Sequence, residues 1–379
     1  IQLKELTDKY EKIFLEGLLS LNIRLPNHLV HATEYIPEMI GLINELIKKG
    51  IAYAAKDGVY VRIEKVKNYG ELAHLDLTGT SNSKTDQKTK LVNRERVVND
   101  EYDKTDPRDF ALWKFKTEED GDIFWETPFG TGRPGWHIEC SAMSMKLLGP
   151  TIDIHTGAID LIFPHHTNEI AQSESVTGKR FVNYWMHGAF MNINEEKMAK
   201  SKNNFFKLDD LAAETISPLA FRYWLLTSHY RSPVNFSYTA VRGAQNALIR
   251  LMSLIGSYPE GGSVVAEYKK RFNAFVNDDL DTPQAVALAW ELTKDGKISD
   301  ADKRATLIDF DKVFGLKFDS VKLKAFEAIP PEIQALADAR EEARRKKDWK
   351  QADALRAEIE SRGFAIDDTP EGIKISERE

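Results

Sequence analysis

Between Pro134 and Asn192 short apolar segments alternate with helical ones: residues 151–155 read as a buried strand, 168–177 as a helix and 182–186 as a second strand. Parallel neighbours need a crossover of this kind, so the pattern predicts an α/β sheet with parallel strands. Ligands of such sheets sit outside the carboxyl ends of the strands. His155-Thr156-Gly157-Ala158-Ile159-Asp160 occupies that position after the first strand. There Gly157 permits close backbone approach and Asp160 can accept hydrogen bonds from a ribose, although a plain strand-to-helix turn accounts for the same residues equally well.

The only cysteine, Cys140, stands near the start of this stretch in Gly135-Trp136-His137-Ile138-Glu139-Cys140, and Phe163-Pro164-His165-His166-Thr167-Asn168-Glu169 falls further inside it. Thiolate, imidazole and carboxylate are ligands that suit zinc. Spacing allows His165 to meet Glu169 at i+4 and His166 to meet it at i+3, and does not choose between them. Further on, Lys197-Met198-Ala199-Lys200-Ser201-Lys202 puts three lysines into six residues, a loop able to offer cations to a polyphosphate or simply to face solvent.

Composition narrows the class. The 379 residues are 42% hydrophobic and 29% charged, an ordinary globular balance with room for two to four domains. A net charge of −7 excludes a simple basic nucleic-acid coat, so any nucleic-acid contact is local; the densest basic run, residues 340–350, carries Arg344, Arg345, Lys346, Lys347 and Lys350 on a predicted helix. One cysteine rules out an intramolecular disulfide framework and fits a reducing compartment, most simply the cytoplasm. No apolar run approaches the ~20 residues of a membrane span, and no membrane partner is expected.

Around the alternating core, helical periodicity is read over residues 3–19 and 31–50, the latter stopping at Gly50. The chain opens on Ile1 inside the first of these helices, which predicts an upstream segment. Residues 53–63 alternate as a strand, and 81–106 form a polar loop. Helices resume at Pro218, over 239–255, and after Asp281-Thr282-Pro283. Pro330-Pro331 marks a linker, followed by a helix over 332–362 that breaks near Asp348, a stop at Gly363 and a hairpin around 367–372.

Taken in order, residues 132–204, His229-Tyr230-Arg231-Ser232-Pro233-Val234-Asn235-Phe236-Ser237 and the closing 367–374 segment resemble the cysteinyl-tRNA synthetases, which are class I aminoacyl-tRNA synthetases. The resemblance implies an α/β Rossmann-like catalytic core whose first half is incomplete, an α+β connective insertion, a helical bundle and a small α/β tail domain. It divides the chain into 1–131 (tail of the first Rossmann half plus insertion), 132–206 (second half), 207–240 (stem contact), 241–325 (tRNA-binding bundle) and 326–379 (anticodon binding). It implies Cys140, His165 and Glu169 as zinc ligands and Trp136 as a wall of the cysteine pocket. His155, Gly157 and Asp160 would face the adenosine of ATP. Lys197, Lys200 and Ser201 would embrace its phosphates, with Lys200 and Lys197 stabilising the reacting phosphorus. The implied partners are ATP with Mg2+, L-cysteine and tRNA(Cys), acting on a cytoplasmic monomer.

Several positions depart from the family pattern. A fourth zinc-ligating cysteine and a His-Ile-Gly-His-like phosphate motif, both in the family's N-terminal region, do not occur, so the chain without an upstream segment is expected to be a poor catalyst. Ala158, Thr167, Ala199 and Asn203 stand where glycine, glutamate, serine and glycine are usual. Two other functions share part of the pattern: a ligase joining cysteine to an amino sugar in mycothiol synthesis, which needs no anticodon-reading tail, and a non-catalytic tRNA-binding fragment.

Overall fold

The structure, a computed structural model, describes residues 3–75, 108–193, 196–198, 206–320, 331–369 and 372–377. It divides into two compact units, Ile1–Gln245 with Asp279–Pro283, and Asn246–Asp278 with Gln284–Glu379. The polar stretch 81–106 lies outside the described residues, as do Lys200 and Ser201.

The first unit begins with helix α1 (Leu3–Ser20) and helix α2 (Ile36–Lys48). In α2, Ile36, Met39, Leu42, Ile43 and Leu46 are buried, the stripe that a 3.6-residue period predicts. Residues 53–63, read as part of a small β-containing insertion, form a hairpin. β1 (Ala52–Ala54) pairs antiparallel with β2 (Gly58–Val61), and Ile63 already belongs to a 3-10 turn. All of β2 is buried. It lies between β1 and β3 (Phe110–Phe115), which pairs in turn with β4 (Gly132–Pro134). One core joins Met39, Ile43 and Leu46 of α2 to Leu112 and Trp113 of β3, to Ile138 and Ala142 of α3 (Trp136–Leu148) and to Ala171 further on. Gly135, at the start of α3, is pressed against β3: a Cβ there would lie 2.1 Å from the carbonyl oxygen of Ala111. That close approach fixes where α3 leaves the sheet.

β5 (Ile152–Ala158), α4 (Thr167–Thr177) and β6 (Val182–Gly188) form the predicted strand–helix–strand unit, with parallel pairing from Ile152↔Val182 to Ala158↔Gly188. The C-terminal carbonyls of α4 are satisfied from outside, since Lys49 Nζ donates to Ser175 O at 3.1 Å and Val176 O at 2.6 Å. β7 (Met191–Ile193) pairs antiparallel with β8 (Glu196–Lys197) and parallel with β9 (Val234–Phe236). Between them lie α5 (Leu208–Ala213) and α6 (Pro218–Leu226), the second opened by Ser217, whose hydroxyl accepts from Leu219 N, and by Pro218 in its first turn. Leu211, Ile216, Ala220, Phe221, Phe236 and Val241 form a second core, the last from the start of α7 (Tyr238–Ser257).

Asp279, with φ +52, is tied to this unit by Tyr230, which donates to Oδ1 at 2.6 Å, and by Arg231, which donates to both carboxylate oxygens. Hydrogen bonds from Arg231 and then Tyr230 hold the Asp279 carboxyl down to about 2. A carboxylate depressed on folding contributes stability above its unfolded pKa of about 4 and loses it as pH falls toward the folded value. The protection of amides around residues 279–283, relative to their intrinsic exchange rate, is therefore expected to fall between about pH 4 and pH 2, and Asp279→Asn should flatten that dependence. The same acid response in the variant would contradict the assignment.

The second unit contains α8 (Ala266–Asn277), α9 (Thr282–Lys294) and α10 (Asp300–Phe314). Phe272 of α8 stacks on Phe310 of α10 with ring centroids 4.1 Å apart, and Phe314 meets Phe272 edge-on. The helix expected over 332–362 is broken where predicted. α11 (Pro331–Arg345) ends, Lys347 takes φ +61, and the Asp348 side chain accepts from Gln351 N to open α12 (Trp349–Ser361). β10 (Phe364–Thr369) and β11 (Gly372–Glu377) close the chain as an antiparallel hairpin, and Ile366 packs with Ile333, Ala337 and Ile359. In the basic run, Arg344 pairs with Glu341, and both Arg345 and Lys346 with Glu342.

Candidate active site

α3 and α4 bring the sequence-predicted metal ligands together. Cys140 is in the second turn of α3, His165 lies in a wide turn over Ile162–His166, and Glu169 is in the first turn of α4. Their ligand atoms all lie within 4.8 Å of one another, and His165 Nε2 is 2.8 Å from Glu169 Oε1. Glu169 is 0% exposed, yet neither carboxylate oxygen has a hydrogen-bond partner among the described residues. A buried carboxylate is costly unless a cation or hydrogen bonds compensate it. Burial, then Glu169 and Glu139, push the Cys140 thiol up to about 12. A dication between these groups would relieve both deficits, because a coordinating thiol gives up its proton and the carboxylate gains its counter-charge. The donor set therefore fits a metal ion.

Glu169 also faces a second group. His155, on β5, has Nε2 3.4 Å from Glu169 Oε2, and with His166 it forms a further set of ligand atoms within 4.8 Å. His166 Nδ1 lies 2.8 Å from His187 Nε2, at the end of β6, and Trp185 packs over both His155 and His166. His137 completes the cluster, its Nδ1 2.9 Å from His165 Nδ1. Burial drives His137 and His166 down to about 3, with neighbouring histidine rings adding to it, and lowers His155 and His187. Each of these shifts favours the neutral ring.

Of the other sequence candidates, Trp136 and Gly157 adjoin this cluster. Trp136 is 59% exposed, with its ring centroid 4.4 Å from that of His165, so it stands at the mouth of the group. Asp160 lies in the 3-10 turn Ile159–Leu161 that directly follows β5, and Lys197 is the last residue of β8. Gly157 is in β5, and the space left by its missing side chain is filled by His166: an added Cβ would lie 2.6 Å from His166 Cε1. Gly157→Ala is therefore expected to displace the His166 ring and to destabilise the fold by roughly 1–3 kcal/mol, the range for overpacking a filled site. Thermal melting measures it, and an unchanged Tm would contradict the packing. His137, His187 and Trp185 were not candidates in the sequence; the signal for His187 and Trp185 was their position at the carboxyl end of the second parallel strand.

Residues 1–246 match the family described as tRNA synthetases class I (C) catalytic domain, and residues 327–374 match the cysteinyl-tRNA ligase anticodon binding domain. A cysteine-tRNA ligase of Chlamydia pneumoniae is 40% identical over 399 residues, covering 99% of this chain and 81% of the relative. The chain belongs to the cysteine-tRNA ligase family. A member from Protochlamydia amoebophila is 39% identical over 401 residues, covering 100% of this chain and 81% of that one. Mycobacterium tuberculosis methionyl-tRNA synthetase bound by methionyl-adenylate superposes with a TM-score of 0.50 at 14% identity, over 83% of this chain and 77% of the other. At that identity the likeness concerns the fold, and it is the class I synthetase fold. The cysteine-tRNA ligase relatives and the anticodon-binding match favour neither the amino-sugar ligase nor the non-catalytic fragment. Catalytic and anticodon-binding segments of the family are both present, the first holding the Cys140–His165–Glu169 group and the second spanning α11 to β11. Among the described residues no helix is long and apolar enough to cross a membrane.

Proposed function

We propose that the protein activates L-cysteine with ATP and transfers it to tRNA(Cys), choosing its amino acid through a zinc ion held by Cys140, His165 and Glu169. The observation that carries this reading is the fully buried Glu169 carboxylate, without a hydrogen-bond partner and beside a thiol and an imidazole, in a chain of this family. Bound zinc would supply a Lewis acid that prefers the substrate thiolate to a hydroxyl. A site that recognises one polar group in this way rejects the analogue lacking it by far more than a difference of one methylene, so serine is refused at binding.

The protein's own residues do the rest. Trp136, exposed beside His165, forms a wall over the amino-acid side chain. His155 lies in the middle of β5, Gly157 near its carboxyl end and Asp160 in the turn that follows, the end at which a parallel sheet receives a nucleotide, and Asp160 accepts from the ribose. The cysteine carboxylate attacks the α-phosphorus of ATP, pyrophosphate leaves with Mg2+, and Lys197 and Lys200 offset the charge that develops on the phosphoryl oxygens, with Ser201 beside them. A ribose hydroxyl of the terminal adenosine of tRNA then attacks the acyl carbon and AMP departs. The segments 207–240, 241–325 and 326–379 serve respectively the acceptor stem, the tRNA body and the anticodon, with the protein acting as a cytoplasmic monomer. The test is transfer of labelled cysteine to bulk tRNA by the full natural protein. Cysteine-tRNA formation with serine refused is expected; cysteine-dependent pyrophosphate exchange without transfer to tRNA would overturn the reading.

A further inference from the structure

We propose that His137 is a positioning residue for the metal site: its Nδ1 accepts the proton of His165 Nδ1, which fixes the tautomer of His165 that leaves Nε2 bare toward Cys140 and Glu169. The inference rests on His165 being a metal ligand. The two Nδ1 atoms are 2.9 Å apart, so one proton lies between two rings that each offer a lone pair or an N–H. His165 Nε2 lies 2.8 Å from Glu169 Oε1, on the side of the Cys140–Glu169 group, while Nδ1 faces His137. A ligating Nε2 must be bare, so the one proton of a neutral His165 sits on Nδ1 and His137 Nδ1 is the atom that receives it.

The location of His137 suits the task. It is three residues before Cys140 on α3, so one helix carries both a ligand and the group that orients a second ligand. Its ring meets Phe110 edge-on, with centroids 5.7 Å apart, and lies tilted against Trp136 at 5.6 Å. Ligating histidines usually donate their second ring N–H to a carboxylate, a carbonyl or water, and loss of that partner costs roughly 10–100-fold in metal affinity. Here the acceptor is an uncharged imidazole, which sets the tautomer without adding a further negative charge to a group that already holds a thiolate and a carboxylate.

The experiment titrates the metal-free full-length protein with Zn2+ against a chromophoric chelator and records the ligand-field spectrum with Co2+. His137→Phe, which keeps the ring packing, should weaken Zn2+ binding by roughly 10–100-fold and shift the Co2+ spectrum, while His137→Gln, whose amide oxygen can accept the same proton, should recover most of the affinity. Wild-type affinity in His137→Phe, or a Gln variant weaker than the Phe variant, would overturn the inference, since either order means packing and not the hydrogen bond. His165→Ala separates the underlying reading: unchanged Zn2+ binding there removes His165 as a ligand, whereas its loss alongside an unaffected His137→Phe removes only the role of His137.

Discussion

Replacing Cys140 by serine is expected to strip the protein of stoichiometric zinc and to erase its preference for cysteine over serine. The substitution keeps the shape of a half-buried side chain on α3 and removes only the sulfur. Zinc in a structural site binds with roughly 10–16 kcal/mol, so losing one of the three proposed protein ligands costs on the order of 3–5 kcal/mol, or roughly 10²–10⁴-fold in affinity. Zinc retained per chain under a competing chelator and the ratio of cysteine- to serine-dependent pyrophosphate exchange should fall together, while the Tm of the metal-free protein stays nearly unchanged. Undiminished zinc in Cys140→Ser would remove the sulfur from the ligand set.

Replacing Lys200 by alanine is expected to slow cysteinyl-adenylate formation by about 10² or more, the usual loss when one group stabilising transition-state charge is deleted. The effect should appear in pyrophosphate exchange and leave tRNA affinity unchanged, because the group acts on the phosphate and not on the nucleic acid. Lys197→Ala should act in the same direction. An effect confined to tRNA binding would take the loop out of the chemical step.

What could be read from residues alone follows how local the cause is. The apolar stripe of α2 and the break at Asp348 each depend on residues within a few positions of one another, and the parallel β5–α4–β6 unit on a strand–helix–strand alternation visible in the sequence; all three were legible. The turn that splits residues 53–63 into β1 and β2 was not; β2, enclosed between β1 and β3, is buried along its whole length despite the alternation of its sequence. The choice between His165 and His166 was open for a related reason. Both rings are buried against Glu169, one in each of the two ligand groups, and their surroundings differ through contacts made far along the chain: Gly157 and His187 with His166, and His137 and Trp136 with His165. Contacts between residues 137 and 165, or 166 and 187, arise when α3, α4 and β6 come together, and no spacing rule announces them.

The most direct test of the central claim is to load the full-length protein with Co2+ in place of zinc and add amino acid while recording absorption. L-cysteine should intensify a thiolate-to-cobalt charge-transfer band beyond that of the Cys140 sulfur, and L-serine should leave the spectrum unchanged. A spectrum indifferent to L-cysteine would contradict selection of the substrate thiol at the Cys140–His165–Glu169 centre.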